Sequence, residues 1–174
     1  MKIILDLQQI KIVPLPENSN IHKFRCGVSE IDKWSKDKAR KFHEQNRTKI
    51  FCALDSKTNF LCGFYSLSFS NEEAGKLTDR YRDIYNTSGV PLVYIGYLAV
   101  NEVCQGKGLG KFLLLDALRR THWISQHIAF YGVALRSLNE RTTKLYEKFG
   151  FGRKDDEPVP LMILPIWTIN DLFK

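Results

Sequence analysis

The chain has 174 residues, of which 44% are hydrophobic and 26% charged, a composition typical of one globular domain with its own core. No apolar stretch reaches the roughly 20 residues of a membrane-spanning helix and no signal peptide is visible, so we expect a single cytoplasmic domain over residues 1–174 and no membrane partner. The net charge of +7, from 26 basic and 19 acidic residues, exceeds what solubility requires and favours an anionic partner such as RNA.

The cysteine and histidine residues indicate neither a disulfide framework nor a metal site. Cys26, Cys52, Cys62 and Cys104 lie far apart without a C-x-x-C pair, and two of them fall in apolar strand patterns where a free thiol acts as a small hydrophobic group. The four histidines show no ligand spacing. We therefore expect reduced thiols and no bound metal.

The chain begins with a predicted strand, Ile10 to Leu15, and a loop. An amphipathic helix follows, from a capping-box-like start at Ser29 and Asp32 to about Gln45. Its apolar stripe consists of Ile31, Trp34, Ala39 and Phe42.

The opposite face of this helix is basic. Lys33, Lys36 and Arg40 follow one another at helical spacing, and few acidic residues lie among them. Such a face is either solvated or a contact surface for nucleic acid, and the sequence leaves both interpretations open.

A β-hairpin is predicted next, with strands at Lys49 to Leu54 and Phe60 to Phe69 joined by a polar turn. Gly63, inside the second strand, indicates a bulge or a close approach of another backbone. Asn71 to Gly89 is polar and mixed, and we interpret it as a short helix and a loop.

The stretch from Val93 to Leu118 predicts a strand, a glycine-rich loop and a helix, the arrangement in which backbone N–H groups and a helix N-terminus bind an anion. Phe112 occupies the position where a Walker loop needs Ser or Thr, and the G-x-G-x-G spacing does not fit a dinucleotide fingerprint. The pattern that fits is Q/R-x-x-G-x-G/A, filled by Gln105, Gly108 and Gly110. A glycine-rich turn without a ligand is the simpler alternative.

Three further elements complete the chain: a buried strand at Ile128 to Leu135, a helix at Asn139 to Phe149 that Gly150 terminates, and a closing strand at Leu161 to Ile166. Strands alternating with helices indicate parallel pairing in this half, and the hairpin indicates antiparallel pairing before it. We predict a mixed α/β sheet flanked by helices.

The pyrophosphate-loop pattern and the later segment L-Y-E-K-x-G-F, here Leu145 to Phe151, together resemble the GCN5-related N-acetyltransferase (GNAT) family. The resemblance covers most of the chain. It implies the GNAT fold, a mixed and mostly antiparallel central sheet with a splayed parallel strand pair. It also implies acetyl-CoA as the acetyl donor.

The same resemblance assigns site residues. Tyr146 would be the general acid that protonates the CoA thiolate, although by itself it could be a core aromatic residue. Asn139 would contact the pantetheine arm, although by itself it is a helix N-cap. Backbone groups would hold pantetheine and polarise the thioester at Leu98, Ala99 and Val100. Backbone N–H groups would bind the pyrophosphate at Gln105, Gly106, Lys107, Gly108, Leu109, Gly110 and Lys111.

The strand before the loop lacks the glutamate that many family members use as a base. A lysine side chain, with a pKa near 10.4, would need such help, whereas an α-amino group near 8 is already partly neutral. The sequence therefore favours an α-amine as acceptor.

One branch of the family resembles this chain in two further segments, Phe24 to Asp32 and Gly63 to Leu67. It is the GNAT toxins of toxin–antitoxin pairs, which acetylate the α-amine of aminoacyl-tRNA and block translation. Trp34-Ser35 departs from the usual W-L of that branch. The resemblance implies aminoacyl-tRNA as substrate, bound through Lys33, Lys36 and Arg40, and an antitoxin as a further partner.

Two rival functions share the CoA residues with this prediction. One is a GNAT enzyme for a small amine or a protein N-terminus, and the other is a CoA-binding or RNA-binding module without turnover. The sequence leaves the acceptor and the oligomeric state, including a homodimer, undecided.

Overall fold

The computed structural model describes residues 5–73, 77 and 89–174. The chain divides into two compact units, the first formed by residues up to Ser68 with Gly96–Ala117 and the second by Phe69–Ile95 with Leu118–Lys174. The helix and loop predicted within 71–89 lie outside the described residues for the most part. The single domain over 1–174 stays a prediction.

The first unit contains the antiparallel strands β1 (Ile10–Pro14), β2 (Lys49–Asp55) and the beginning of β3 (Leu61–Glu72), in the order β1-β2-β3. The predicted first strand and hairpin are confirmed, although β3 extends two residues into the segment predicted as the following helix and loop. The hairpin turn forms because the Asp55 carboxylate accepts hydrogen bonds from the backbone N–H groups of Lys57 and Thr58, at 3.0 and 2.8 Å.

Gly63 shows both features that its position indicated. The register between β2 and β3 shifts beside it, from Ala53 opposite Gly63 to Leu54 opposite Leu61. A Cβ atom placed on Gly63 would lie 2.8 Å from the carbonyl oxygen of Ala99, too close for any side chain. Glycine therefore allows two backbones to approach at this point.

The predicted basic helix is two helices, α1 (Ser29–Asp37) and α2 (Ala39–Glu44), which meet at Lys38 with φ −128°. The predicted capping box is wrong. The Asp32 carboxylate instead accepts the N–H of Cys26 at 2.7 Å, outside the helix. Asp32 therefore fixes the loop that enters α1, and the first turn has no side-chain cap.

The apolar face of α1 packs into the core of the first unit. Trp34 is 8% exposed, and its ring stacks on Tyr97 with centroids 4.2 Å apart and planes 28° apart. Phe64 packs against the same indole at 6.0 Å. Aromatic contacts therefore fix the helix against the sheet.

Strand β3 passes from the first unit to the second after Ser68, and two further described elements also run through both units. Strand β4 (Val90–Val100) contributes its last five residues to the first unit, and helix α3 (Leu109–Ser125) contributes its first nine. Both were predicted from the strand–loop–helix pattern, and the helix, which we expect from the sequence to end at about Thr121, continues to Ser125.

Among the described residues, the second unit also contains β5 (Gly132–Arg136), α4 (Glu140–Lys148), β6 (Gly152–Arg153), β7 (Leu161–Pro165) and α5 (Ile166–Leu172). Strand β5 pairs with β4 in parallel, Leu92–Ile95 opposite Gly132–Leu135, which confirms the mixed α/β class and the parallel pair. Strand β7 lies antiparallel to both β5 and β6, so the parallel pairing expected beyond β5 is wrong there. Strand β6 and helix α5 were not predicted.

All four cysteines are buried free thiols, as expected. Burial raises the pKa of Cys52 and of Cys62 to about 12, so both stay protonated at neutral pH.

Within residues 5–73, 77 and 89–174, no helix is long and apolar enough to cross a membrane. The same residues contain no group of three or more His, Cys, Asp or Glu side chains that could hold a metal ion.

Gly132 provides a test of how tightly the second unit is packed. A Cβ there would lie 2.3 Å from the carbonyl oxygen of Leu164, so Gly132→Ala must displace a strand backbone. We expect a loss of roughly 1–3 kcal/mol in the free energy of unfolding, measured by denaturant titration. Gly152→Ala is the control, because its Cβ would meet only ordinary contacts at 3.5 Å or more. Equal stability of the two variants would contradict the close approach of β5 and β7.

Candidate active site

The loop between β4 and α3 is tied to the protein by the side chain of Gln105. Its Nε2 donates to the carbonyl oxygens of Val100 at 3.0 Å and Cys26 at 2.8 Å. A side-chain amide has two donor hydrogens, so one glutamine satisfies both carbonyl groups. Gln105 thus joins the end of β4 to the segment before α1.

The two glycines after Gln105 adopt a backbone that other residues rarely adopt. Gly106 has φ +75° and Gly108 has φ +84°, in the left-handed region. A Cβ on Gly106 would meet nothing within 4 Å, and one on Gly108 would meet only Leu7, at 3.7 Å. The loop therefore exposes its backbone to open space, as an anion-binding loop must.

Gly110 is different. Its φ is not positive, and a Cβ there would lie 3.8 Å from the side chain of Val100, an ordinary van der Waals distance. The backbone conformation at this position therefore does not itself require glycine. Only a ligand close to it would require glycine.

Helix α3 begins at Leu109, which is 1% exposed and anchors the first turn in the core. The first N–H groups of a helix have no partner in the preceding turn and carry the positive end of its dipole. Gly110 and Lys111 lie in that turn, and the side chain of Lys111 is exposed. Lys107 lies nearby, with its ammonium donating to the carbonyl of Val103 at 3.1 Å. This cradle of N–H groups and lysines fits a pyrophosphate.

The end of β4 presents backbone groups to both of its edges. Asn101 donates its N–H to Cys62 of β3 at 2.8 Å, and the carbonyl of Ala99 faces Gly63 of the same strand. Because successive residues of a strand point their backbone groups to opposite edges, Leu98 and Val100 face the other edge. Of the three residues assigned to pantetheine, these two are therefore the better placed.

Asn139 is the N-cap of α4. Its Oδ1 accepts the N–H of Thr142 at 3.0 Å, and the Thr142 hydroxyl accepts the N–H of Asn139 at 3.1 Å, which completes a capping box. Asn139 therefore caps α4, as its sequence position alone predicts. Its contact with pantetheine stays a prediction.

Tyr146 lies on α4 and is 8% exposed, with its ring centroid 5.7 Å from that of Phe151. Burial raises the pKa of its phenol to about 12. Among the described residues, no group forms a hydrogen bond with the Tyr146 hydroxyl. The phenol thus keeps its proton at neutral pH and is available to a substrate atom.

The three basic residues of the predicted RNA surface are not equivalent. Lys33 and Lys36 are exposed on α1. The Arg40 guanidinium instead donates to the carbonyls of Pro16 at 3.2 Å and Ser19 at 3.0 Å. Arg40 therefore holds a loop in place, a contact between distant residues that no sequence pattern signalled.

Residues 15–151 match the sequence profile of the acetyltransferase (GNAT) family. The chain is 28% identical over 170 residues to a probable toxin TacT of Sinorhizobium fredii, a match covering 92% of this chain and 93% of that relative. It is 25% identical over 150 residues to a tRNA-acetylating toxin of Mycobacterium tuberculosis, covering 86% of this chain and 89% of that relative.

Two solved structures are similar in fold. One is the crystal structure of a tyrosine-to-phenylalanine mutant of KacT, with a TM-score of 0.87, 26% identity, and 95% of this chain and 100% of that chain covered. The other is AtaT complexed with acetyl-methionyl-tRNAfMet, with a TM-score of 0.85, 21% identity, and 95% and 99% covered. At that identity the second likeness supports the fold alone.

Gly108→Val tests the loop directly. We expect it to abolish acetyl-CoA binding measured by calorimetry, because valine is strained at φ +84° and its side chain enters the open space beside the backbone. Gly110→Val should fold as well as the native chain and still lose binding, because its backbone conformation permits a side chain. Near-native affinity in both folded variants would remove the loop from the site.

Proposed function

Because the chain belongs to the acetyltransferase (GNAT) family, we propose that it transfers an acetyl group from acetyl-CoA to the α-amine of aminoacyl-tRNA. By blocking translation in the cytoplasm, it would act as the toxin of a toxin–antitoxin pair. Its relatives named as a probable toxin and a tRNA-acetylating toxin support this choice within the family. An antitoxin protein is the further partner that the proposal requires.

The observation that carries the proposal is the contact between α1 and β4. Trp34 stacks on Tyr97 with ring centroids 4.2 Å apart. Tyr97 directly precedes Leu98, whose backbone would contact the thioester. Lys33 precedes Trp34 on the same helix, and Lys36 lies two residues after it. The exposed lysines thus belong to the helix that packs against β4 just before Leu98. With the amino acid of a charged tRNA at the thioester, the phosphates of that tRNA end would lie near these lysines.

The donor would be held by backbone groups. Leu98 and Val100 would pair with the pantetheine arm, and the N–H groups of Gln105 to Lys111 would bind the pyrophosphate. Backbone contacts of this kind fix the thioester without depending on side-chain identity, and a donor fixed in line with the amine gains in rate.

The transfer itself needs two proton movements. The nitrogen of the neutral amine attacks the thioester carbonyl carbon, the C–S bond breaks, and the amine loses a proton to solvent. Tyr146 would donate its phenolic proton to the departing thiolate and recover one from water. Its raised pKa suits the protonated state that this role requires.

The acceptor would deprotonate without help from the strand. Strand β4 has the sequence VPLVYIGYLAV, in which no side chain is acidic. An α-amino group with a pKa near 8 is partly neutral at physiological pH, whereas a lysine near 10.4 is almost entirely charged. The absence of a base on β4 thus favours an α-amine.

The double variant Lys33→Glu, Lys36→Glu tests the partner. We expect the kcat/KM for charged tRNA to fall more than tenfold and its salt dependence to flatten, because phosphate neutralisation releases counterions. The KM for acetyl-CoA and the stability should change little, since both lysines are exposed. Arg40 is left in place because it holds the loop at Pro16 and Ser19.

The matched control is Lys11→Glu with Lys57→Glu. Both residues are exposed, and the pair changes the net charge by the same amount. Equal losses in the two double variants would assign the effect to overall charge and remove α1 from the tRNA surface. A native reaction without salt dependence would instead indicate a neutral small acceptor.

Tyr146→Phe tests the acid. We expect normal folding and acetyl-CoA binding with a turnover loss of roughly 10²–10⁴-fold, because the change removes only the phenolic proton. In the native chain, single-turnover rates should rise as the α-amine loses its proton near pH 8 and then stay level to about pH 10, because the acid titrates only near pH 12. Unchanged turnover in Tyr146→Phe would leave Tyr146 as a core aromatic residue. A native rate that falls between pH 8 and 10 would contradict an acid with a pKa of about 12.

A further inference from the structure

The segment Gly63 to Leu67 of β3 has no assigned part in binding CoA or tRNA, yet its residues make contacts with β4 and α3. Gly63 admits the carbonyl of Ala99, and the Tyr65 phenol donates to the Asp116 carboxylate at 2.6 Å. Ser66 is 2% exposed, and its hydroxyl accepts the backbone N–H of Tyr97 at 3.0 Å. The last contact differs from the others because it joins a β3 side chain directly to the β4 backbone.

The register of the two strands brings Ser66 of β3 opposite Tyr97 of β4. Asn101 of β4 donates its N–H to the carbonyl of Cys62 on β3. Moving four residues back along β4 and four forward along the antiparallel β3 brings Tyr97 opposite Ser66. At this pair the Tyr97 N–H donates to the Ser66 hydroxyl, so the Ser66 side chain helps to hold the β4 backbone at Tyr97.

The side chain of Tyr97 is fixed as well as its backbone. Its ring stacks on Trp34 at 4.2 Å, so both its backbone and its side chain have fixed partners. The peptide that follows Tyr97 carries the N–H of Leu98, which points to the opposite edge of β4. Any rotation of the strand at Tyr97 therefore turns the Leu98 N–H.

We propose that Ser66 is a positioning residue, whose hydroxyl orients the backbone at Tyr97 so that the Leu98 N–H is directed at the thioester carbonyl of the donor. This inference rests on the proposed acetyltransferase function and adds to it the group that aligns the polarising N–H. Ser66 itself touches no reacting atom. A donor aligned in advance lowers the barrier because it requires no reorganisation during the reaction.

The direct test is the carbonyl stretching frequency of acetyl-CoA, labelled with carbon-13 in the acetyl group, bound to the full chain without acceptor. The native chain should lower the frequency relative to free acetyl-CoA, and Ser66→Ala should lose most of this shift. Turnover of Ser66→Ala should fall roughly 10- to 100-fold with the KM for acetyl-CoA within about twofold, since misplacement alters the reacting geometry and not the pyrophosphate loop. Ser66→Thr, which keeps the hydroxyl, should restore both readouts, and Ser68→Ala on the same strand should leave them unchanged.

Each other outcome is also decisive. A folded Ser66→Ala chain with the native frequency and turnover overturns the inference while the proposed function stands. A native complex that shows neither acetyl-CoA binding nor a shift counts against the proposed function itself. If Ser66→Ala fails to fold, or if Ser66→Thr folds and does not restore the shift, Ser66 is a packing residue and the inference is wrong.

Discussion

The amide group of Gln105 is the constraint on which the candidate site depends. Its two hydrogens bind the carbonyls of Val100 and Cys26, so the end of β4 and the start of the glycine loop cannot move independently. The left-handed glycines and the N-terminus of α3 follow within four residues. The positions of their N–H groups therefore depend on the contacts of Gln105. A donor bound there would meet a pre-ordered surface, which reduces the entropy lost on binding.

Much of this arrangement follows from local sequence. Glycines at Gly106 and Gly108 predicted a turn that only glycine forms easily, and both have positive φ. Asn139 and Gly150 marked the two ends of α4, and the structure shows a capping box at one and φ +92° at the other. These signals are reliable because each depends on one residue and its immediate neighbours.

The features that the sequence did not predict share a different cause, which is contact between residues distant in sequence. The break between α1 and α2 has no glycine or proline, and beside it Arg40 donates to carbonyls more than 20 residues away. Asp32 was expected to cap α1 and instead accepts the N–H of Cys26. The hydrogen bond from Tyr97 to Ser66 spans 31 positions and leaves no local pattern. The fold class and the glycine loop could therefore be predicted, whereas the long-range contacts of Arg40, Asp32 and Ser66 could not.

The central claim is that an α-amine on tRNA receives the acetyl group. The most direct measurement is incubation of the native chain with acetyl-CoA labelled in its acetyl group and total tRNA charged with amino acids, followed by digestion and identification of the labelled product. The account predicts label on the α-nitrogen of the amino acid, present with charged tRNA and absent with uncharged tRNA. Label that appears only on small amines or protein N-termini, with charged tRNA unmodified, would contradict it.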